Sequence, residues 1–378
     1  MNAPNRRTFT FKLLGLCIAL ASAAAPAFAQ DSDAPARPGL VFTSTNATGN
    51  NELLVYAVGL DGGLGLQSRV ATQGQGTGGG LGSQGAVTLA RDGRYVFVVN
   101  AQSNTVSTFA LHGDQAVLRS VVDSGGLHPI SVTERDGLVV VLNAFGNGGV
   151  ASFRNQQGAL TPIAGGARGL SAAGGTGPAQ VGLGSDGDVA VVTEKNTHRL
   201  TSYRVEHDGS LGQPVVTASA GLTPFGFAFD QRDHLVVSEA FGGAVNASAA
   251  SSYRFDESAP ALPVLVSASV PTTQTAACWV AITPNGKFAY TGNAGSDSVS
   301  SYRIARGGQI DLIQAAAGST GANAGVTDLA VSSDGQRLFA LAPKSLQIVS
   351  FRVAYDGSLT RVGAGTGLPA GSVGLAAN

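Results

Sequence analysis

A repeat runs through this chain. An apolar, β-rich stretch ending in an aromatic residue recurs at Tyr56, Phe109, Phe153, Tyr203, Tyr253, Tyr302 and Phe351, at intervals of about 44 to 53 residues. A tight-turn signal precedes most of these stretches: Asp92-Gly93, Asp136-Gly137, Asp186-Gly187, Asn285-Gly286 and Asp334-Gly335, with Arg232-Asp233 in that place in the fifth unit. A second signal follows each stretch, as at Asp61-Gly62, His112-Gly113, Asp208-Gly209 and Asp356-Gly357. Asp-Gly supplies the positive φ that a two-residue hairpin requires, so each unit holds two hairpins and four strands. Tyr95 to Val99 is apolar throughout, which suits a strand covered on both faces by neighbouring sheets. Seven such units with no helical period predict an all-β, seven-bladed β-propeller of four-stranded blades.

The first unit has three strands, at Leu40 to Thr45, Leu53 to Val58 and Leu64 to Ala71, and no inner strand before them. Gly371 to Ala377 resembles the inner strand Gly85 to Ala90, so the ring is expected to close by N- and C-terminal strands sharing one blade, which removes an open sheet edge. Residues 39–378 are therefore read as the propeller. Gln73 to Gly82 contains a GxGxxG match, but a phosphate cradle needs a helix after the loop and a strand follows here, so it is read as a connection.

Residues 1–29 have the form of a secretory signal peptide: Arg6, Arg7 and Lys12, an apolar run from Leu13 to Ala25, then Ala27-Phe28-Ala29. Residues 30–38 read as a flexible leader, and the mature protein is expected to be periplasmic or secreted, by the general or the twin-arginine route. The run is too short to span a bilayer, so no membrane anchor is expected. Removing the signal peptide's three cations leaves 20 basic against 24 acidic residues, and a charge of −4 with no basic patch argues against a nucleic-acid partner. Cys278 is then the sole cysteine, so no intrachain disulfide can form. A small-molecule substrate or ligand and a monomeric chain are expected.

Aligning the second strands backwards from their aromatics places Asn46, Asn100, Asn143, Glu194, Glu239, Asn293 and Ala342 at equivalent positions, which would form a polar ring about the axis. Glu194 and Glu239, facing one cavity, would serve as general base and acid with pKa values pushed apart; the competing reading is that these residues cap strand ends. The starts of the inner strands add His128 as a proton shuttle and Gln180, Cys278, Trp279 and Asp328 as substrate contacts, with Arg199 as a cation near Glu194. No His or Cys spacing suggests zinc and no cofactor is called for, although oxygen ligands from such a ring could bind a divalent cation.

At Asp92-Gly-Arg-Tyr-Val-Phe-Val-Val-Asn100 with Asn104-Thr-Val-Ser-Thr-Phe109, at Val192-Thr-Glu-Lys195 and at Asn285-Gly-Lys-Phe-Ala-Tyr290, the chain resembles the lactonase family of seven-bladed propellers, which includes 6-phosphogluconolactonase-like and carboxymuconate-lactonising-like proteins. Ser238-Glu239-Ala240 and Ala277-Cys278-Trp279 look like an exported branch of it. The resemblance implies hydrolysis of a lactone or related cyclic ester in the channel, with His128 and Glu194 matching a His and a Glu implicated in the lactonising enzymes. Where those enzymes carry a Gly-Pro-Arg arginine, this chain reads Gly177-Pro178-Ala179-Gln180, and a cation for a developing oxyanion is missing there. The alternative is a non-catalytic propeller that binds a ligand, glycan or protein in the same funnel.

Overall fold

The computed structural model describes residues 39–256 and 259–378. The signal peptide and the leader read from the sequence lie outside the described residues. Among the described residues no helix is long and apolar enough to cross a membrane.

Strands form where the apolar runs were read, and each blade is an antiparallel meander. The second blade comprises Val87–Leu89, Tyr95–Asn100, Thr105–His112 and Gln115–Asp123, hydrogen-bonded in that order. The third to sixth blades begin at Leu127–Arg135, Pro178–Leu183, Pro224–Phe229 and Ala277–Ile282, each followed by three further strands. The seventh blade, starting at Asp328–Val331, and the first share an eight-stranded sheet, joined where Gly365 meets Leu64. Gly93, Gly187, Gly286 and Gly335 all have positive φ, as their hairpin turns demand.

Val373–Ala377 pairs antiparallel with Leu40–Ser44, with Val41 opposite Ala377 and Phe42 opposite Ala376. It thus lies innermost in the first blade's sheet and touches the inner strands of the seventh and second blades. The GxGxxG loop leads into the strand Val87–Leu89, as the absence of a cradle requires.

The core lies between blades rather than inside one layer. All seven signature aromatics are fully or almost fully buried, and in the first, second, fifth, sixth and seventh blades a β-bulge falls immediately before that aromatic. A bulge adds local twist and re-aims the next side chain, which turns the ring into the adjoining blade. Second strands such as Val189–Glu194 are buried at every residue, whereas outer strands such as Leu64–Ala71 show mostly exposed and half-buried positions.

Candidate functional site at the propeller axis

The inner strand of every blade is a sheet edge facing the axis, so it presents backbone groups that no further strand can pair. Side chains stitch these edges together. Thr88 Oγ1 donates to the Val132 carbonyl (2.6 Å), the Val181 amide donates to Ser131 Oγ (3.1 Å), and Ser238 Oγ donates to the Cys278 carbonyl (2.9 Å). Gln180 does this twice: its Oε1 accepts from the Phe227 amide (2.7 Å) and its Nε2 donates to the Phe227 carbonyl (3.0 Å). Asp328, about 1% exposed, accepts from the amides of Leu329 and Leu375 and so holds the C-terminal strand to the seventh blade. Burial, only partly offset by these amides, pushes its pKa up to about 8.

One segment crosses the axis. Gln84 donates to the Val280 carbonyl (2.7 Å) and accepts from the Val280 amide (3.0 Å), linking the second blade to the sixth, while its own amide donates to the Ala179 carbonyl in the fourth. Ser83 joins in from both ends, as Trp279 Nε1 donates to its carbonyl (2.9 Å) and its hydroxyl donates to Ile130 (2.8 Å). Gly226 is required beside this plug because a Cβ there would collide with the Gln84 amide and the Cys278 carbonyl. β-Bulges at the first residues of the inner strands, between Pro178 and Gln180, Pro224 and Phe227, and Ala277 and Trp279, make room for it.

The plug divides the axis in two. Toward the Asp-Gly turns lies a cavity of about 370 Å³ that touches all seven inner strands; its polar side chains include Gln84, Thr88, Thr133, Arg135, Gln180 and Asp328. Toward the loops that connect successive blades stands Lys195. Its Nζ donates to the Gly82 carbonyl (2.6 Å) and lies 4.9 Å from the centroid of the Phe225 ring, which itself packs edge-on against Trp279 at 5.3 Å. Desolvation lowers the Lys195 pKa from the usual lysine value.

The predicted ring of Asn and Glu exists as a set of strand-end positions but not as a lining of the axis. Asn100, Asn143, Glu194, Glu239 and Asn293 each end the second strand of their blade or lie within two residues of its end, and all are buried. Their side chains turn to neighbouring turns, strands and loops. Glu194 accepts from the Ser171 amide (2.9 Å), the Ser171 hydroxyl, Thr197 Oγ1 (2.6 Å) and Thr201 Oγ1 (2.6 Å). Glu239 accepts from the Gly221 amide (2.8 Å), Ser269 Oγ (2.7 Å) and Ser251. Burial raises the Glu239 pKa even though these donors pull it down.

Asn143 exchanges two bonds with Ser124, Asn100 receives Asn51 and Thr72 while donating to Thr105 and Ser107, and Asn293 donates to Ser298 and Ser300. The repeated position is therefore a latch that fastens local turns and, in several blades, the incoming inter-blade loop. Glu194 and Glu239 share no hydrogen-bond partner and neither lines the axial cavity, so the structure does not bring them together as an acid and base pair. Asn46 lies beyond its strand and closes a loop onto Thr77 and Gly79, and Ala342 has no polar group to contribute.

The remaining predicted residues separate. Gln180 and Asp328 line the cavity, and Trp279 braces the plug. Cys278 is buried in a bulge with its thiol pushed up to about 12, which leaves it a packing residue. His128 adopts a φ of 60° and stacks on Phe145 with ring centroids 3.8 Å apart; burial lowers its pKa. Arg199 pairs its backbone opposite Glu194 with its side chain exposed. Among the described residues no three His, Cys, Asp or Glu side chains converge as a metal site. Two functional candidates escaped the sequence reading: Gln84, for which nothing local signals a cross-axis bond, and Lys195, whose partners Gly82 and Phe225 lie in distant segments of the chain.

Residues 247–373 match the family described as Lactonase, 7-bladed beta-propeller. No curated protein matches the sequence. Among solved structures, the chain is similar to a Lactobacillus plantarum protein (TM-score 0.73, 15% identity, 91% of this chain and 100% of that one). It is also similar to a Bacteroides fragilis protein assigned as a 6-phosphogluconolactonase (TM-score 0.67, 15% identity, 92% and 100%). A third similar structure is the periplasmic gluconolactonase of Pseudomonas aeruginosa (TM-score 0.66, 14% identity, 89% and 98%). At these identities the likeness is one of fold.

Proposed function

We propose that this chain, a β-propeller of the lactonase family, is an exported hydrolase that opens a lactone or related cyclic ester at the loop-side mouth of its axis, with Lys195 as the acting residue. The observation that carries this is the setting of the Lys195 amine: half-buried, over the Phe225 ring, and with the Gly82 carbonyl as its hydrogen-bond partner. The neutral amine has two N–H donors and a lone pair, so with one N–H on Gly82 the other can meet a substrate carbonyl oxygen while the lone pair faces water. Once protonated, it supplies the cation that Gln180 does not.

Because desolvation lowers its pKa, Lys195 has a larger neutral fraction than an exposed lysine and can accept a proton from water. Water adds to the ring carbonyl carbon as the amine takes its proton. The oxyanion forms beside the new ammonium, and its collapse breaks the ring C–O bond while the proton passes to the departing alkoxide. Phe225 offers a flat apolar face for the ring. Export rests on residues 1–29, and the likeness to a periplasmic gluconolactonase supports it.

The second reading, a propeller that binds in this mouth without turnover, is favoured by one observation: Glu194 and Glu239 are both consumed in latches, so the base rests on Lys195 alone. Acid release from a panel of five- and six-membered lactones separates the two. Turnover by the purified protein that disappears in Lys195→Met supports hydrolysis, whereas saturable lactone binding with no acid release supports the second reading. Turnover unchanged in Lys195→Met overturns the assignment of Lys195.

A further inference from the structure

The cavity on the other side of the Gln84 plug has its own chemistry. It is about 370 Å³, inside the range of about 300–1,000 Å³ usual for small-molecule sites. Arg135, the last residue of the third blade's inner strand, stands at its rim. Its Nε is buried and has no hydrogen-bond partner, and among the described residues its guanidinium forms no ion pair. A buried donor left unpaired is costly, and a guanidinium is built to take a planar oxyanion on two N–H groups.

The acids around Arg135 are already engaged. Glu134 accepts from the amides of Arg91 (3.0 Å) and Gly137 (2.7 Å), Asp136 pairs with Arg91 (3.7 Å), and Asp233 accepts from the amide and hydroxyl of Ser185. Within the cavity Asp328 is the carboxyl, and its raised pKa keeps it largely protonated at neutral pH. Thr88, Thr133 and Gln180 complete a lining able to meet hydroxyl groups; Thr88 and Gln180 each use part of their hydrogen-bonding capacity on neighbouring backbone.

We infer that this cavity is a second ligand site, entered from the Asp-Gly-turn side, that takes a small hydroxylated carboxylate with the carboxylate on Arg135 and the hydroxyls on the threonine and glutamine side chains. It is separate from the Lys195 mouth because Gln84 and Ser83 lie between them.

Calorimetric titration of the purified protein with D-glycerate, with glycerol as the neutral control and inorganic phosphate as the competing oxyanion, tests it. The expected result is saturable glycerate binding, little glycerol binding, and affinity weakened about tenfold or more in Arg135→Gln. Lys195→Met should bind glycerate as the wild type does. No glycerate binding, equal binding in Arg135→Gln, phosphate bound in preference to glycerate, or loss in Lys195→Met overturns the proposal. Should Arg135→Gln fail to fold, wild-type crystals soaked in D-glycerate decide: density for glycerate in the axial cavity with its carboxylate on Arg135 is expected, and an empty axial cavity refutes the site.

Discussion

Replacing Glu194 by Gln separates a latch from a catalytic base. The carboxylate receives four donors, two from Ser171 and one each from Thr197 and Thr201. Gln keeps one acceptor oxygen and sets an NH₂ group against hydroxyls that had been donating to the other oxygen. The hydroxyls can rotate, but the charge assistance is lost. Bonds to charged groups contribute about 1.5–3 kcal/mol each, and two are compromised in part, so a loss of roughly 3 kcal/mol is expected. With an unfolding entropy of about 2.1 cal/mol/K per residue, a propeller of this size should lose about 4 °C in Tm. Thermal melts at neutral pH, paired with lactone turnover on the folded fraction, provide the assay. The latch account predicts a lower Tm with turnover retained. An unchanged or higher Tm with turnover abolished would refute it and restore Glu194 as a functional carboxylate.

Asp328→Asn should flatten the pH dependence of stability: a carboxyl whose folded pKa is raised to about 8 contributes stability that is full below its ordinary value and lost as pH rises toward 8, and denaturant titrations from pH 4 to 8 measure this. Gln84→Ala should cost about 2–4 kcal/mol by stranding the amide and carbonyl of Val280, read by chemical denaturation; an effect below about 0.5 kcal/mol would mean the plug is dispensable. Cys278 should resist a thiol reagent in the native protein at pH 8 and react on unfolding, since it is buried with its thiol near 12. Deleting residues 371–378 should expose the edge of Leu40–Ser44, lower Tm and promote aggregation, and an unchanged melt would count against the role of that pairing.

The architecture was legible because its signals are local and repeated. Asp-Gly pairs mark turns by backbone geometry, and apolar runs such as Tyr95 to Val99 state that both faces are covered. The equivalence of Asn100, Asn143, Glu194, Glu239 and Asn293 was legible for the same reason. Their direction was not, since a strand-end side chain can turn to the axis or to the incoming loop, and the choice depends on donors such as Ser171 and Gly221 in segments with no pattern of their own. Lys195 stands one residue past the regular strand Val189–Glu194, and its partners Gly82 and Phe225 lie in distant segments that no local spacing encodes. Gln84 finds its partner 196 residues away, across the axis, a relation that no local spacing encodes.

The most direct test of the Lys195 assignment is a crystal structure with a non-hydrolysable lactam of the ring size best accepted in the turnover panel. The account predicts density for the ring against the Phe225 face at the loop-side mouth, with its carbonyl oxygen within hydrogen-bonding distance of Lys195 Nζ, about 3 Å. A lactam bound only below the Gln84 plug, or on the Glu194 latch with Ser171 and Thr197 displaced, would contradict it.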